Sequence, residues 1–134
     1  MNNIRHTKEQ IREGIRQKKL LFDGAFGTYY GGKYDTKQLP ELANLEAPGR
    51  VKEIHREYLE AGAQILRTNT FAANSFCMDL SRKQIEEILR SGYRLAAEAV
   101  SEWREATGST RDVYIAADIG QIPGDALAQK DLLS

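Results

Sequence analysis

Three short stretches hold the residue types that could do chemistry. Asp23 opens a glycine-rich segment, Asp23-Gly24-Ala25-Phe26-Gly27-Thr28, while Asn69 and Asp118 each follow an apolar run. Glycines let backbone N–H groups approach an anion closely, so residues 24–28 could hold a carboxylate or a phosphate. Asp23 beside them would attract an ammonium group and repel phosphate. Together the two halves suit a zwitterionic amino acid better than a phosphate. A tight turn after a strand has the same glycine pattern with no ligand, and Asp or Asn at such ends also caps helices and forms turns. The residues alone leave both readings standing.

Other side chains carry weaker signals. His55 lies inside a helical pattern, where a surface or packing role outweighs that of a ligand or base. His6, near the chain start, has no assigned role. Cys77 is expected as a small buried or half-buried side chain. Tyr29, Tyr30 and Tyr34 could form a lid or pack on an outer layer. Arg67 could meet an anion or pair with an acid from a neighbouring strand. The charged run 82–104 is chiefly a solvated helix face.

The elements that must position these residues are legible from periodicity. Thr7-Lys8-Glu9-Gln10 has the form of a capping box, and Ile11 and Ile15 follow at i, i+4, which predicts a helix over residues 8–18. Leu20-Leu21-Phe22 reads as a short buried strand. Glycines at 24, 27, 31 and 32 predict a long loop from there to about residue 46, and loops of that length are often functional. Pro48 suits a first helical turn, and Val51, Ile54, Tyr58 and Leu59 mark the face of a helix that Gly62 stops. Residues 64–68 read as a second strand. Ser81-Arg82-Lys83-Gln84 is another capping box. Ile85, Ile88, Leu89, Ala96, Ala99, Val100 and Trp103 then form a stripe with Gly92, in a helix that reaches Thr107 and closes at Gly108. Residues 113–117 read as a third strand, and residues 125–134 as the start of another helix. Strands alternating with helices imply parallel βα units, whose sites lie at the carboxyl ends of the strands. If the strands are neighbours, Asp23, Asn69 and Asp118 share one rim.

Composition bounds the function class. The chain has 134 residues, 41% hydrophobic and 28% charged, with 19 basic and 19 acidic residues and no net charge. No global field favours nucleic acid or an anionic membrane. The single cysteine excludes an internal disulfide. There is no secretory pattern at the N-terminus and no run of the ~20 apolar residues that a membrane span needs, so the expected location is the cytoplasm.

Several motifs in order resemble the homocysteine S-methyltransferase family. Asp-Gly-Ala-Phe-Gly-Thr at 23–28 is similar to the family's first-strand motif. Glu41-Leu42-Ala43-Asn44-Leu45, then Ile54-His55-Arg56-Glu57-Tyr58-Leu59-Glu60-Ala61-Gly62-Ala63, and Thr68-Asn69-Thr70-Phe71-Ala72-Ala73-Asn74 continue it in register. Asp118-Ile119-Gly120 resembles the motif after strand three, although Gln121 stands where Pro is expected. The likeness covers about residues 20–124 and is nearest to the cobalamin-dependent methionine synthase branch, including forms fused to a methylenetetrahydrofolate reductase.

The resemblance implies an α/β fold: a partial TIM (βα)8 barrel of about three parallel βα units after a short N-terminal helix. It implies methyl transfer to the homocysteine thiol, giving methionine. By carry-over Asp23 contacts the substrate amine, the backbone amides of Gly24, Ala25 and Phe26 hold its carboxylate, Asn69 lines the pocket, and Asp118 joins the rim. No catalytic residue or metal ligand is assigned in this chain. The family's zinc ligands are three cysteines after later strands, and one cysteine cannot make a thiolate-rich site. Zinc is therefore expected in the complete domain; cobalamin and methyltetrahydrofolate could enter through other domains, and the methyl donor is left open. Three strands cannot close a barrel, which takes eight and ~200–250 residues. Residues 1–134 are thus expected to be the N-terminal portion of the domain, whether cut by design, cut by proteolysis or the product of a truncated gene. Partners would be homocysteine and the rest of the barrel or a second copy, with no nucleic acid and no membrane. An alternative is a non-catalytic α/β module that binds an amino acid or assembles through its open sheet. A third reading is a phosphate-binding barrel piece using residues 24–28.

Overall fold

The computed structural model describes residues 6–17 and 20–122. Helix α1 spans Lys8–Gln17. Its capping box forms as expected: the Thr7 N–H donates to Gln10 Oε1 at 2.8 Å, and the Gln10 N–H to Thr7 Oγ1 at 3.1 Å. Ile11 and Ile15 nevertheless stay exposed, because no described element covers their face. The helix is anchored at its start instead. His6 Nε2 donates to the Val113 carbonyl at 3.2 Å, and its ring lies 4.4 Å from that of Tyr114.

The parallel sheet is smaller than predicted. Strands β1 (Ile65–Arg67) and β2 (Tyr114–Ala116) pair in parallel, Ile65 with Tyr114 through Arg67 with Ala116. The first predicted strand reduces to a single parallel bridge between Phe22 and Ile65. Its backbone is held by Gln64 N–H to Leu21 O at 2.7 Å and Asp23 N–H to Ile65 O at 2.9 Å. Leu21 and Phe22 are 54% and 55% exposed, so the segment is not the fully buried strand its apolar run predicts. It has β1 on one side and no described neighbour on the other, and its faces lack cover.

The predicted loop to residue 46 contains three short helical pieces. They are α2 (Phe26–Lys33), the 3₁₀ turn Pro40–Leu42, and α3 (Ala43–Glu46). Helix α4 (Pro48–Glu60) starts at the proline and buries Val51, Ile54, His55 and Leu59. Helix α5 (Arg82–Thr107) has the full capping box of Ser81 and Gln84, and ends at Gly108 with φ 68°, a left-handed conformation open to glycine at little cost. Its stripe is buried as predicted except at Leu89, which is exposed.

Two apolar clusters join these layers. Leu59, Ala63, Leu66, Val100, Trp103 and Val113 bind α4 and α5 to the sheet. Tyr30, Ala43, Val51, Ile54 and Leu95 bind α2, α3 and α4 to α5. Burying each of the larger side chains stabilises the fold by about 1.5–3 kcal/mol. Among the described residues no helix is long and apolar enough to cross a membrane. The helix predicted over residues 125–134 lies outside the described residues, as does Lys18 at the end of α1.

Candidate functional site

A cavity of about 490 Å³ opens at the carboxyl ends of the strands. Its walls come from the 24–28 segment, Pro40 and Glu41, residues 67–72, and Asp118. The size suits a small ligand. Of the residues expected on the rim, Gly24, Ala25, Phe26, Asn69 and Asp118 line it. Asp23 does not.

Asp23 lies beneath the rim, its side chain only 1% exposed. One oxygen accepts the Arg67 backbone N–H at 2.9 Å and the other accepts Arg67 Nε at 3.0 Å. Arg67 also donates to the Gly24 carbonyl at 3.1 Å. The pair therefore ties the glycine segment to the end of β1. Burial pushes the Asp23 carboxyl above the usual carboxylate range, outweighing the lowering by Arg67, while the bond to Asp23 pushes the Arg67 guanidinium up. Of the two roles open to Arg67, pairing with an acid is met, and its side chain still reaches the cavity wall.

The 24–28 segment leads directly into α2. The helix begins at Phe26, with Ala25 extended at its N-cap and no side-chain cap. The first N–H groups of a helix have no partner within it, and the residues that carry them here, Phe26, Gly27 and Thr28, line the cavity. Gly24 permits a close approach: a Cβ there would sit 2.8 Å from the Tyr58 hydroxyl, and the tyrosine would have to shift.

A polar clasp fixes the rim after β1. Asn69 donates through Nδ2 to the Pro40 carbonyl at 2.8 Å and to Asn44 Oδ1 at 2.9 Å. Asn44 in turn donates to the Asn69 carbonyl at 2.8 Å and the Ile88 carbonyl at 3.1 Å. Thr70 Oγ1 donates to the Asp118 carbonyl at 2.7 Å, and the Asp118 N–H donates to Thr68 Oγ1 at 3.2 Å. The Thr70 proton is thus committed, so in the 2.7 Å contact between the two hydroxyls it is Thr68 that donates. At Gly120 a Cβ would meet the Phe71 carbonyl oxygen at 2.3 Å, which gives that glycine a steric reason.

Two residues here carry no role in the sequence reading. Asn44 and Glu41 both fall in the 41–45 motif, yet nothing in their types shows that they are buried. His55 is fully buried 5.2 Å from the Phe26 ring, with both ring nitrogens unpartnered, and burial lowers its pKa to about 4. This is the packing role, not a surface one. Cys77 is exposed, against the expectation of burial; the Asn74 side chain turns the chain outward by accepting its N–H at 3.0 Å. The tyrosines do not form a lid. Tyr30 is in the core, Tyr29 donates to Glu57, and Tyr34 donates to Glu53 at 2.8 Å, both on α4. Among the described residues no three His, Cys, Asp or Glu side chains gather as a metal site. With its one thiol exposed and apart from the cavity, the chain does not fit the zinc that the resemblance implies, and no step is derived through it.

Parallel βα units with a cavity at the strand ends place the chain among α/β proteins of the barrel and doubly wound kinds. A family model described as homocysteine S-methyltransferase matches residues 20–130, and the chain belongs to that family. Homocysteine S-methyltransferase 1 of Zea mays is 29% identical over 111 residues, covering 75% of this chain and 34% of the relative. The metallated crystal form of the homocysteine methyltransferase MmuM from Escherichia coli superposes with a TM-score of 0.71 at 20% identity, over 90% of this chain and 43% of that one. The oxidised form gives 0.70 at 22% identity with the same coverage. At these identities the superpositions speak for the fold. The chain spans about a third of the maize relative's length.

Proposed function

We propose that this chain is the N-terminal portion of a (βα)8 homocysteine S-methyltransferase domain and supplies its homocysteine-binding rim. The reaction of the whole domain would be methyl transfer to the homocysteine thiol, giving methionine. The observation that carries this is the N-terminus of α2, without a side-chain cap, at a cavity that admits a small ligand. The backbone amides of Gly24, Ala25 and Phe26 take the substrate carboxylate. Asn69 and Asp118 shape the wall. Asp23, engaged by Arg67 at both oxygens, holds the glycine segment in place and adds negative charge below it. The thiol-activating zinc, and any cobalamin or methyltetrahydrofolate, belong to other parts of the protein, which works in the cytoplasm.

Calorimetric titration with homocysteine and with inorganic phosphate tests the reading. Saturable binding of homocysteine, undisturbed by phosphate, is expected. Phosphate binding that competes with homocysteine would overturn it in favour of a phosphate site. A second reading, assembly through the open sheet, is favoured by Ile119, 85% exposed just beyond β2. It predicts concentration-dependent association with no homocysteine heat.

A further inference from the structure

We infer that Tyr58 is a positioning residue for this site: its ring is the stop against which the glycine segment rests, and it sets where the amides of Gly24 and Ala25 lie. The inference rests on the homocysteine reading above and gives Tyr58 no ligand contact of its own. Tyr58 is on α4, half-buried, and is not part of the cavity wall. A Cβ on Gly24 would meet its hydroxyl oxygen at 2.8 Å, its Cε1 at 3.0 Å and its Cζ at 3.2 Å. The edge of the ring as well as its tip therefore lies against the segment. The hydroxyl makes no hydrogen bond among the described residues, so the contact is steric.

The ring has little room to yield. It packs against both apolar clusters, and its centroid lies 5.8 Å from that of Tyr29. Closely packed interiors pass a displacement on rather than absorb it. The segment has two other anchors. On the strand side, the Asp23 N–H donates to the Ile65 carbonyl at 2.9 Å, and Arg67 Nη2 donates to the Gly24 carbonyl at 3.1 Å. On the helix side, the Phe26 ring lies 5.2 Å from that of His55. Between those anchors the chain rests on Tyr58. Burial, and then the charge of Asp23, push the Tyr58 phenol up. The hydroxyl therefore stays neutral beside a site for a carboxylate, which a phenolate would repel.

Coupling between residues in contact corresponds to roughly two- to a hundredfold in an equilibrium constant. The test combines calorimetry of the full chain with homocysteine and the amide NMR signals of Gly24 and Ala25. Tyr58→Phe removes the nearest atom of the stop and keeps the ring. It should weaken homocysteine binding by a factor in that range, with the folded fraction unchanged by circular dichroism. The Gly24 and Ala25 signals should move further than that of Ala63, whose N–H donates to the Tyr58 carbonyl and reports the general effect of the exchange. Gly24→Ala pushes the segment off the same stop. Combined with Tyr58→Phe, it should weaken binding by less than the product of the two separate losses. Losses that simply multiply would overturn the inference. So would unmoved Gly24 and Ala25 signals in Tyr58→Phe, or an affinity equal to that of the unaltered chain. If Gly24→Ala does not fold by itself, the signals and affinity of Tyr58→Phe decide. An unaltered chain that binds no homocysteine removes the homocysteine reading. Moved signals in Tyr58→Phe would then still support Tyr58 as the stop of the segment, and unmoved ones would overturn it.

Discussion

His55 shows how a single burial sets a pH dependence. Its ring is fully enclosed and its pKa falls from 6.5 to about 4. The folded state therefore resists a proton that the unfolded chain accepts. Stability is complete above about pH 6.5 and is lost as pH falls toward 4, amounting to about 3 kcal/mol when both states are titrated. Urea melts of the unaltered chain should show this slope, and melts of His55→Leu should lack it while matching or exceeding stability at pH 7. Arg67 is a second case. Removing it in Arg67→Ala leaves the Asp23 carboxylate buried with one backbone donor. Because Arg67 is partly solvent-screened, the expected loss is about 1–3 kcal/mol, read as a lowered urea midpoint. That an acid and a base meet here was legible from the two possible roles of Arg67 in β1. That Arg67 would engage both oxygens of Asp23 was not, because residue type does not reveal which acid finds a partner first.

At the scale of elements, close backbone approach is what joins α5 to the rim. A Cβ on Gly92 would lie 2.5 Å from Thr70 Cγ2 and 3.2 Å from Asn44 Nδ2. Thr70 is short and β-branched and cannot swing clear. Gly92→Ala should therefore cost about 1–3 kcal/mol by overpacking, despite the better helix propensity of alanine. Gly49→Ala in α4, where nothing lies within 4 Å, should instead be neutral or stabilising by up to about 1 kcal/mol. Thermal melts of the pair separate the two effects. The capping boxes, the α5 stripe and the glycine closing it were all readable, because each rests on local spacing. Helix α2 was not. Its sequence FGTYYGGK carries three glycines, each costing a helix about 1 kcal/mol, and tertiary packing of Tyr30 overrides that preference. The exposure of Leu89, Leu21 and Phe22 was equally hidden, since periodicity marks a face but not what covers it.

For the whole molecule, the sheet is the limiting element. Phe71 and Ile119 are 57% and 85% exposed near the strand ends, and the outer edge of β2 has no described neighbour. Open edges of this kind pair with other chains. Sedimentation velocity should reveal concentration-dependent self-association or an expanded particle; a compact, stable monomer throughout would overturn that expectation. Elemental analysis should find no stoichiometric zinc, since one thiol cannot form the site. The family and the order of the βα units were legible from motifs in register, whereas the true extent of strand pairing depends on neighbours that no local pattern encodes. The amide of Asn44 holds the Asn69 carbonyl with one hydrogen and the Ile88 carbonyl of α5 with the other. The rim and the N-terminal part of α5 cannot loosen separately without stranding a buried amide. Their protons should exchange with deuterium as one cooperative unit, so the stiffness of the ligand-binding edge is borrowed from the longest helix in the chain.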